Sequence, residues 1–177
     1  GSAFLLIQCL TMSFARSFQP IAAPDAETLI LGSMPGQASL SAKQYYAHPR
    51  NVFWPIMASL LSFDPKSPYE ERIEHLIKAR IAVWDVLQAC SRPGSLDADI
   101  DSDSSICNDF STFLGEQRSI KRIFFNGAKA ESIFRKQVAA ELKTDDILLS
   151  RLPSTSPAHA AMSLQDKLEA WKVIVQA

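Results

Sequence analysis

Four short, largely apolar runs, each followed by a stretch with helical periodicity, limit the folds open to this chain more than any other feature. They are TLIL at 28–31, IAVWDVL at 81–87, IKRIFF at 120–125 and ILL at 147–149. Runs without a polar face suit strands buried on both sides, and parallel sheets bury their strands in that way. Between and after them, helices are predicted at 52–61, 68–80, 110–117, 128–142 and 162–176. The last carries Leu164, Leu168, Trp171 and Val175 on one stripe. Ser67, Pro68 and Glu70 stand at the cap, first and third positions of a capping box, which predicts the start of the second helix. This alternation predicts an α/β fold, a parallel sheet covered on both faces, with ligands bound beyond the carboxyl ends of the strands.

Four segments leave those ends, at 32–51, 85–97, 126–129 and 150–159, and they hold most of the unusual polar residues. A chain of 177 residues that is 47% hydrophobic is large enough for one domain with a continuous core. That domain is expected over 24–177, after an N-terminal extension at 1–23 in which Gly1-Ser2 resembles an expression scar. No run approaches the roughly 20 apolar residues of a membrane span, so a soluble protein is expected. Three widely spaced cysteines, Cys9, Cys90 and Cys107, suit a reducing compartment, which points to the cytoplasm. Eighteen basic against nineteen acidic residues exclude coating of nucleic acid by bulk charge, so any DNA contact must be local.

The turn GSMPG at 32–36 lacks the spacing of a dinucleotide fingerprint, a P-loop or a serine nucleophile elbow. Its glycines serve either unusual backbone dihedrals or the close approach of a ligand. The acidic segment 97–103 departs from a calcium loop at Ser102 and Asn108 and reads as solvated. The histidines, His48, His75 and His159, show no metal-ligand spacing, so neither a metal nor a cofactor is expected. Asn51 suits a helix cap, although Pro55 would favour a cap at Trp54 instead. Phe53 and Trp54 read as core. The tyrosine pair Tyr45-Tyr46, in a polar loop, suits a stacking platform for a nucleobase.

Taken together, GSMPG, QYYAHPRNVFW, WDVLQACSRPGSLD, FFNGAKA and LPSTSPAHA resemble the uracil-DNA glycosylase superfamily, and most closely its sixth family, the hypoxanthine-DNA (deoxyinosine) glycosylases. The resemblance runs from about Thr28 to Trp171. It implies a three-layer α/β/α sandwich around a four-stranded parallel sheet, and a monofunctional, metal-free enzyme. Its reaction would be hydrolysis of the bond between a deaminated base and deoxyribose in double-stranded DNA, with a monomer expected. Sister families carry Asp, Asn or Glu in the first glycine motif, where this chain has Ser33 and Met34. The resemblance moves the catalytic amide to Asn51 of the P-x-N-x-F-W segment, and matches Tyr46 to the ring that stacks on the flipped base. Gly32, Ser33, Met34, Pro35 and Gly36 match the lining of the base and water site, and Asp85 and Asn126 match pocket positions. Arg92 and Ser95 match a loop near DNA. Lys129, Ser154, Thr155, Ser156, Pro157 and His159 match phosphate and duplex contacts.

Two further readings stay open within this frame. The same segments resemble glycosylases of G·U mismatches, and loss of the first-motif amide suits a binding module without catalysis. An α/β hydrolase with a serine nucleophile finds no elbow spacing and no partner for His159.

Overall fold

All five residues of the strand Thr28–Gly32 are buried, because it lies inside a sheet with helices on both faces. The computed structural model describes residues 14–91, 100, 105–142 and 144–176. In chain order the strands are β1 (Phe14–Arg16), β2 (Thr28–Gly32), β3 (Ile81–Asp85), β4 (Leu87–Ser91), β5 (Ile106–Cys107), β6 (Arg122–Asn126) and β7 (Leu148–Leu152). The α-helices are α1 (Gln37–Ala42), α2 (Phe53–Leu61), α3 (Tyr69–Lys78), α4 (Phe110–Glu116), α5 (Ala128–Ile133) and α6 (Leu164–Trp171).

The main sheet is parallel throughout, in the order β3-β2-β6-β7. Successive side chains of a strand point to opposite faces, and the core divides accordingly. Leu29, Leu31, Ala82, Trp84, Ile123 and Phe125 pack against Phe110 and Phe113 of α4 and Ala130 and Ile133 of α5. Ile30, Val83 and Phe124 pack on the other face against Phe53, Ile56 and Met57 of α2, Leu76 of α3 and Trp171 of α6. From β2 the chain crosses to β3 on one side and later returns to β6 on the other. The strand order therefore reverses at β2, and crevices for ligands open at such points.

The run 81–87 divides between two sheets. At Val86 the chain leaves the parallel ladder, with Val86 N–H donating to the Gly32 carbonyl (2.8 Å) and Leu87 N–H to that of Ser33 (3.1 Å). Beyond it, β4 joins an antiparallel sheet of order β1-β4-β5 that the sequence reading lacks. Through this sheet the segment before Pro24 packs onto the domain from Phe14 onward. Ile21 also bridges to Val83 and covers the outer edge of β3.

Three helix expectations are corrected. Pro68 is itself the cap residue of α3, in an extended conformation with no side-chain cap bond, so Ser67 stands one position too early for a capping box. The predicted helix 128–142 changes to a π-helical turn at Phe134–Val138 and a 3₁₀ turn at Ala139–Glu141. On α6 the buried positions are Lys167 and Trp171, followed by Ile174 in the 3₁₀ turn, while Leu164 and Val175 are about half exposed. The stripe is rotated because Trp171 anchors the helix by donating Nε1–H to the Pro153 carbonyl (2.9 Å). Among the described residues no helix is long and apolar enough to cross a membrane.

Candidate active site

At the carboxyl end of the main sheet Gly32 and Asp85 stand opposite each other in register, so a buried carboxylate adjoins a residue with no side chain. A Cβ at Gly32 would lie 2.6 Å from Asp85 Oδ1 and 2.9 Å from the Tyr46 hydroxyl, closer than packed atoms approach. Neither Gly32 nor Gly36 has a positive φ, which corrects the expectation of unusual dihedrals in the first motif. At Gly32 the missing side chain admits the protein's own groups. Asp85 Oδ2 also accepts from the Ser17 hydroxyl (3.3 Å), and the Asp85 carbonyl accepts from Asn108 Nδ2 (2.8 Å).

A cavity of about 800 Å³ opens above this floor. The turn from Ser33 to Gly36 forms one side, with the side chains of Ser33 and Met34 buried. Pro35 has no N–H, so the turn offers backbone donors at Met34 and Gly36. Neither N–H bonds to another described group.

Tyr46 and Asn51 line the same cavity from the loop that precedes α2. Tyr46 has φ +56°, a left-handed conformation that costs a non-glycine residue roughly 1–2 kcal/mol. Its ring stacks on Phe53 at 4.1 Å between centroids. Tyr45 belongs to the framework: it is buried, its hydroxyl donates to the Gln19 carbonyl (2.8 Å), and its own carbonyl accepts Trp54 Nε1–H (2.8 Å). Burial, and then the nearby Asp85 charge, push the Tyr45 phenol far above its ordinary pKa, so it stays protonated. Both tyrosines line the cavity, but Tyr45 is buried and tied into the framework, which leaves the half-buried Tyr46 as the candidate stacking ring.

The cap of α2 is Val52, without a side-chain cap bond, so the cap falls to neither Asn51 nor Trp54, and Pro55 sits third in the helix, where a missing N–H removes no helical bond. Asn51 stands one residue before the cap, and its Oδ1 accepts Phe53 N–H at 3.0 Å. That bond fixes which end of the amide is oxygen. One Oδ1 lone pair and the Nδ2 donors remain for a ligand.

Thr155 holds the opposite wall in place. It is 1% exposed, its N–H donates to Asn126 Oδ1 and its hydroxyl accepts from Asn126 Nδ2, both at 2.9 Å. Its carbonyl accepts Val52 N–H (3.0 Å), so one residue joins the end of β6 to the start of α2. Asn126 thus lines the cavity with its amide engaged internally, and the Thr155 side chain is a brace, not a group free for phosphate. Ser154, Ser156, Pro157 and His159 line the cavity from the same loop, and Lys129 from the first turn of α5. Gly127, at φ +96°, lets this loop pass: a Cβ there would meet Ser154 Cβ at 3.1 Å.

Arg92 and Ser95, and the acidic segment 97–103 apart from the buried Ile100, lie outside the described residues. Gln37, His48 and Arg50 line the cavity without having been singled out from the sequence. His48 braces its own loop, with Nδ1 accepting Arg50 N–H (3.0 Å) and its carbonyl accepting Asn51 N–H (2.9 Å). Only the HPRN order next to the P-x-N-x-F-W segment could have marked it. Among the described residues no three His, Cys, Asp or Glu side chains group as metal ligands.

The profile of the Uracil DNA glycosylase superfamily matches residues 19–175. The Hypoxanthine DNA glycosylase of Methanosarcina acetivorans is 34% identical over 163 residues, 90% of this chain and 96% of its own. That of Methanosarcina barkeri is 39% identical over 116 residues, 65% of this chain and 72% of its own. A solution NMR structure of a Methanosarcina acetivorans protein, assigned to the uracil DNA glycosylases, superposes with a TM-score of 0.75 at 31% identity. It covers 92% of this chain and 97% of that one. With the parallel sheet and the cavity at its carboxyl end, these matches establish that the chain belongs to the uracil DNA glycosylase superfamily.

Proposed function

We propose that this DNA glycosylase removes hypoxanthine from deoxyinosine in duplex DNA, by turning the nucleotide out of the helix and hydrolysing its N-glycosidic bond. The observation that carries the reading is that the Asn51 amide, the Tyr46 ring and the donor turn at 33–36 line one cavity. The relatives named as hypoxanthine glycosylases support the choice of base.

Extruding a base costs a few kcal/mol, least where pairing is already weak. Stacking on an aromatic ring returns about 1–3 kcal/mol, and Tyr46, backed by Phe53, supplies a ring already held in place. As the bond from C1′ to the base breaks, the sugar gains positive and the base negative charge. The N–H groups of Met34 and Gly36 are suited to hold the negative charge. Water adds at C1′ and its proton leaves to solvent or to the departing base. Asn51 orients that water through the second lone pair of Oδ1. A carboxamide cannot take the proton as a carboxylate does, so turnover is modest.

The test is release of base from inosine duplexes, with inosine opposite each normal base, by wild type and Asn51→Ala. Wild type is expected to release hypoxanthine, and the variant to do so about 100-fold more slowly or worse. A wild type inert on inosine, or a folded variant of undiminished rate, would overturn the proposal. Release of uracil from G·U pairs in place of hypoxanthine would move the enzyme to the mismatch reading.

A further inference from the structure

The floor of the base cavity is held from outside the stretch that the superfamily profile matches. That stretch begins at residue 19, whereas β1 and Ser17 precede it. β1 pairs with β4, and Ser17 N–H continues the attachment by donating to the Gln88 carbonyl (2.8 Å). The next two carbonyls accept from Trp84, which precedes Asp85, and from Tyr45, which precedes Tyr46. Trp84 Nε1–H donates to the Phe18 carbonyl (3.1 Å) and the Tyr45 hydroxyl to that of Gln19 (2.8 Å). Ser17 therefore stands on backbone fixed from both sides, and its hydroxyl donates to Asp85 Oδ2 (3.3 Å). The Phe18 carbonyl is a second, longer acceptor for that hydroxyl (3.4 Å), but it already takes the indole N–H, and a carboxylate is the stronger acceptor.

Asp85 is buried, and its two oxygens have different surroundings. Oδ2 meets Ser17, while Oδ1 lies against Gly32, where it and the Tyr46 hydroxyl flank the space that a Cβ would fill. Gly32, Tyr46 and Asp85 all line the cavity. The last torsion of an aspartate has a broad, two-fold profile, so a hydrogen bond to one oxygen decides where the other points. We infer that Ser17 is a positioning residue: by holding Oδ2 it turns Oδ1 of Asp85 toward the cavity, as the acceptor for the ring N–H of a deaminated base. Enzymes that flip a base read its Watson–Crick edge, and deamination changes a ring nitrogen on that edge from acceptor to donor. N1 of adenine carries a lone pair; N1 of hypoxanthine carries a hydrogen. An ionised carboxylate accepts and never donates, so an oxygen that binds hypoxanthine there repels adenine. Uracil differs from cytosine in the same way at N3. The inference rests on excision of a deaminated base, but not on which one.

The test compares two labelled duplexes bound by the full chain. One carries 2′-fluoroarabino-inosine, whose glycosidic bond resists hydrolysis, and the other a tetrahydrofuran abasic analogue, which has no base to read. Ser17→Ala is expected to bind the first roughly tenfold more weakly and the second as wild type does, in fluorescence anisotropy. Its single-turnover release of hypoxanthine should be slower by about 10- to 100-fold. Ser17→Thr, which keeps the hydroxyl, should retain most of the wild-type preference for the base. In Asp85→Asn that preference is already reduced, and adding Ser17→Ala should have no further effect. The same analogue with unsubstituted purine as its base has no ring N–H, and should bind wild type and Ser17→Ala alike. Should Ser17→Ala not fold, Ser17→Cys, similar in size and only a weak donor, carries the same comparison. An undiminished preference in the folded variant, a loss that persists with purine, or a further loss in the Asp85→Asn background would overturn the inference. An equal loss on both duplexes would also overturn it, by making Ser17 a support of the fold alone. If wild type releases uracil but no hypoxanthine, and binding of the uracil duplex depends on Ser17, the proposed base falls and the positioning role stands.

Discussion

Gly32 and Asn51 each combine a structural duty with a place in the site, and substitutions can separate the two. Gly32→Ala would press a Cβ against Asp85 Oδ1 and the Tyr46 hydroxyl, the first on a buried side chain and the second on a ring stacked on Phe53. A loss of about 1–3 kcal/mol of stability is expected from such overpacking, measured by urea denaturation, with excision reduced because the Tyr46 ring is displaced. Full activity in Gly32→Ala would show that the position of that ring does not matter. Asn51→Ala removes the acceptor for Phe53 N–H along with the amide, so about 1 kcal/mol of its effect belongs to that lost hydrogen bond. Asn51→Ser keeps a side-chain oxygen that can accept Phe53 N–H and loses the amide. It should melt close to wild type while excision in single-turnover assays falls at least about 100-fold, which would isolate the chemistry from the fold.

Among the elements, those buried on both faces are the ones legible in sequence. β2 and β3 bury all their residues, so TLIL and IAVWD read as continuous apolar runs. β1 and β5, of three and two residues, are too short to display a period, and β4 meets the run 81–87 only at Leu87, because the break at Val86 is made by hydrogen bonds to Gly32 and Ser33 far away in sequence. The site was legible through its strand-end motifs. His48 and Gln37 were not, since only tertiary folding turns their loop ends toward the cavity. Helix starts show the same split. Asp109 caps α4 by accepting Thr112 N–H (3.0 Å) and the Thr112 hydroxyl (2.7 Å), and these bonds hold its carboxyl below the ordinary range. A depressed folded pKa contributes stability above the ordinary value, about pH 4, and that stability is lost as pH falls through the depressed one. Thermal melts over that acid range should therefore fall more steeply for wild type than for Asp109→Asn, which keeps a neutral acceptor.

At the scale of the whole molecule, a net charge of −1 leaves little long-range attraction to DNA, so grip must come from the few cations near the site. With Arg50 and Lys129, the Arg and Lys side chains that line the cavity, as the phosphate partners, the slope of log affinity against log salt is expected between about −1 and −3. A much steeper slope would place additional basic surface on the DNA. The amino-terminal segment also reaches the site, since Ser17 donates to Asp85 while β1 pairs with β4. Thr155 ties two elements together, as it is bonded to the end of β6 and to the residue that caps α2. Its position decides where change is tolerated in such a fold. Descendants can recut the cup for a new base at Ser33 or Met34 and inherit the handling of the strand unaltered, whereas drift at this one threonine misaligns both together.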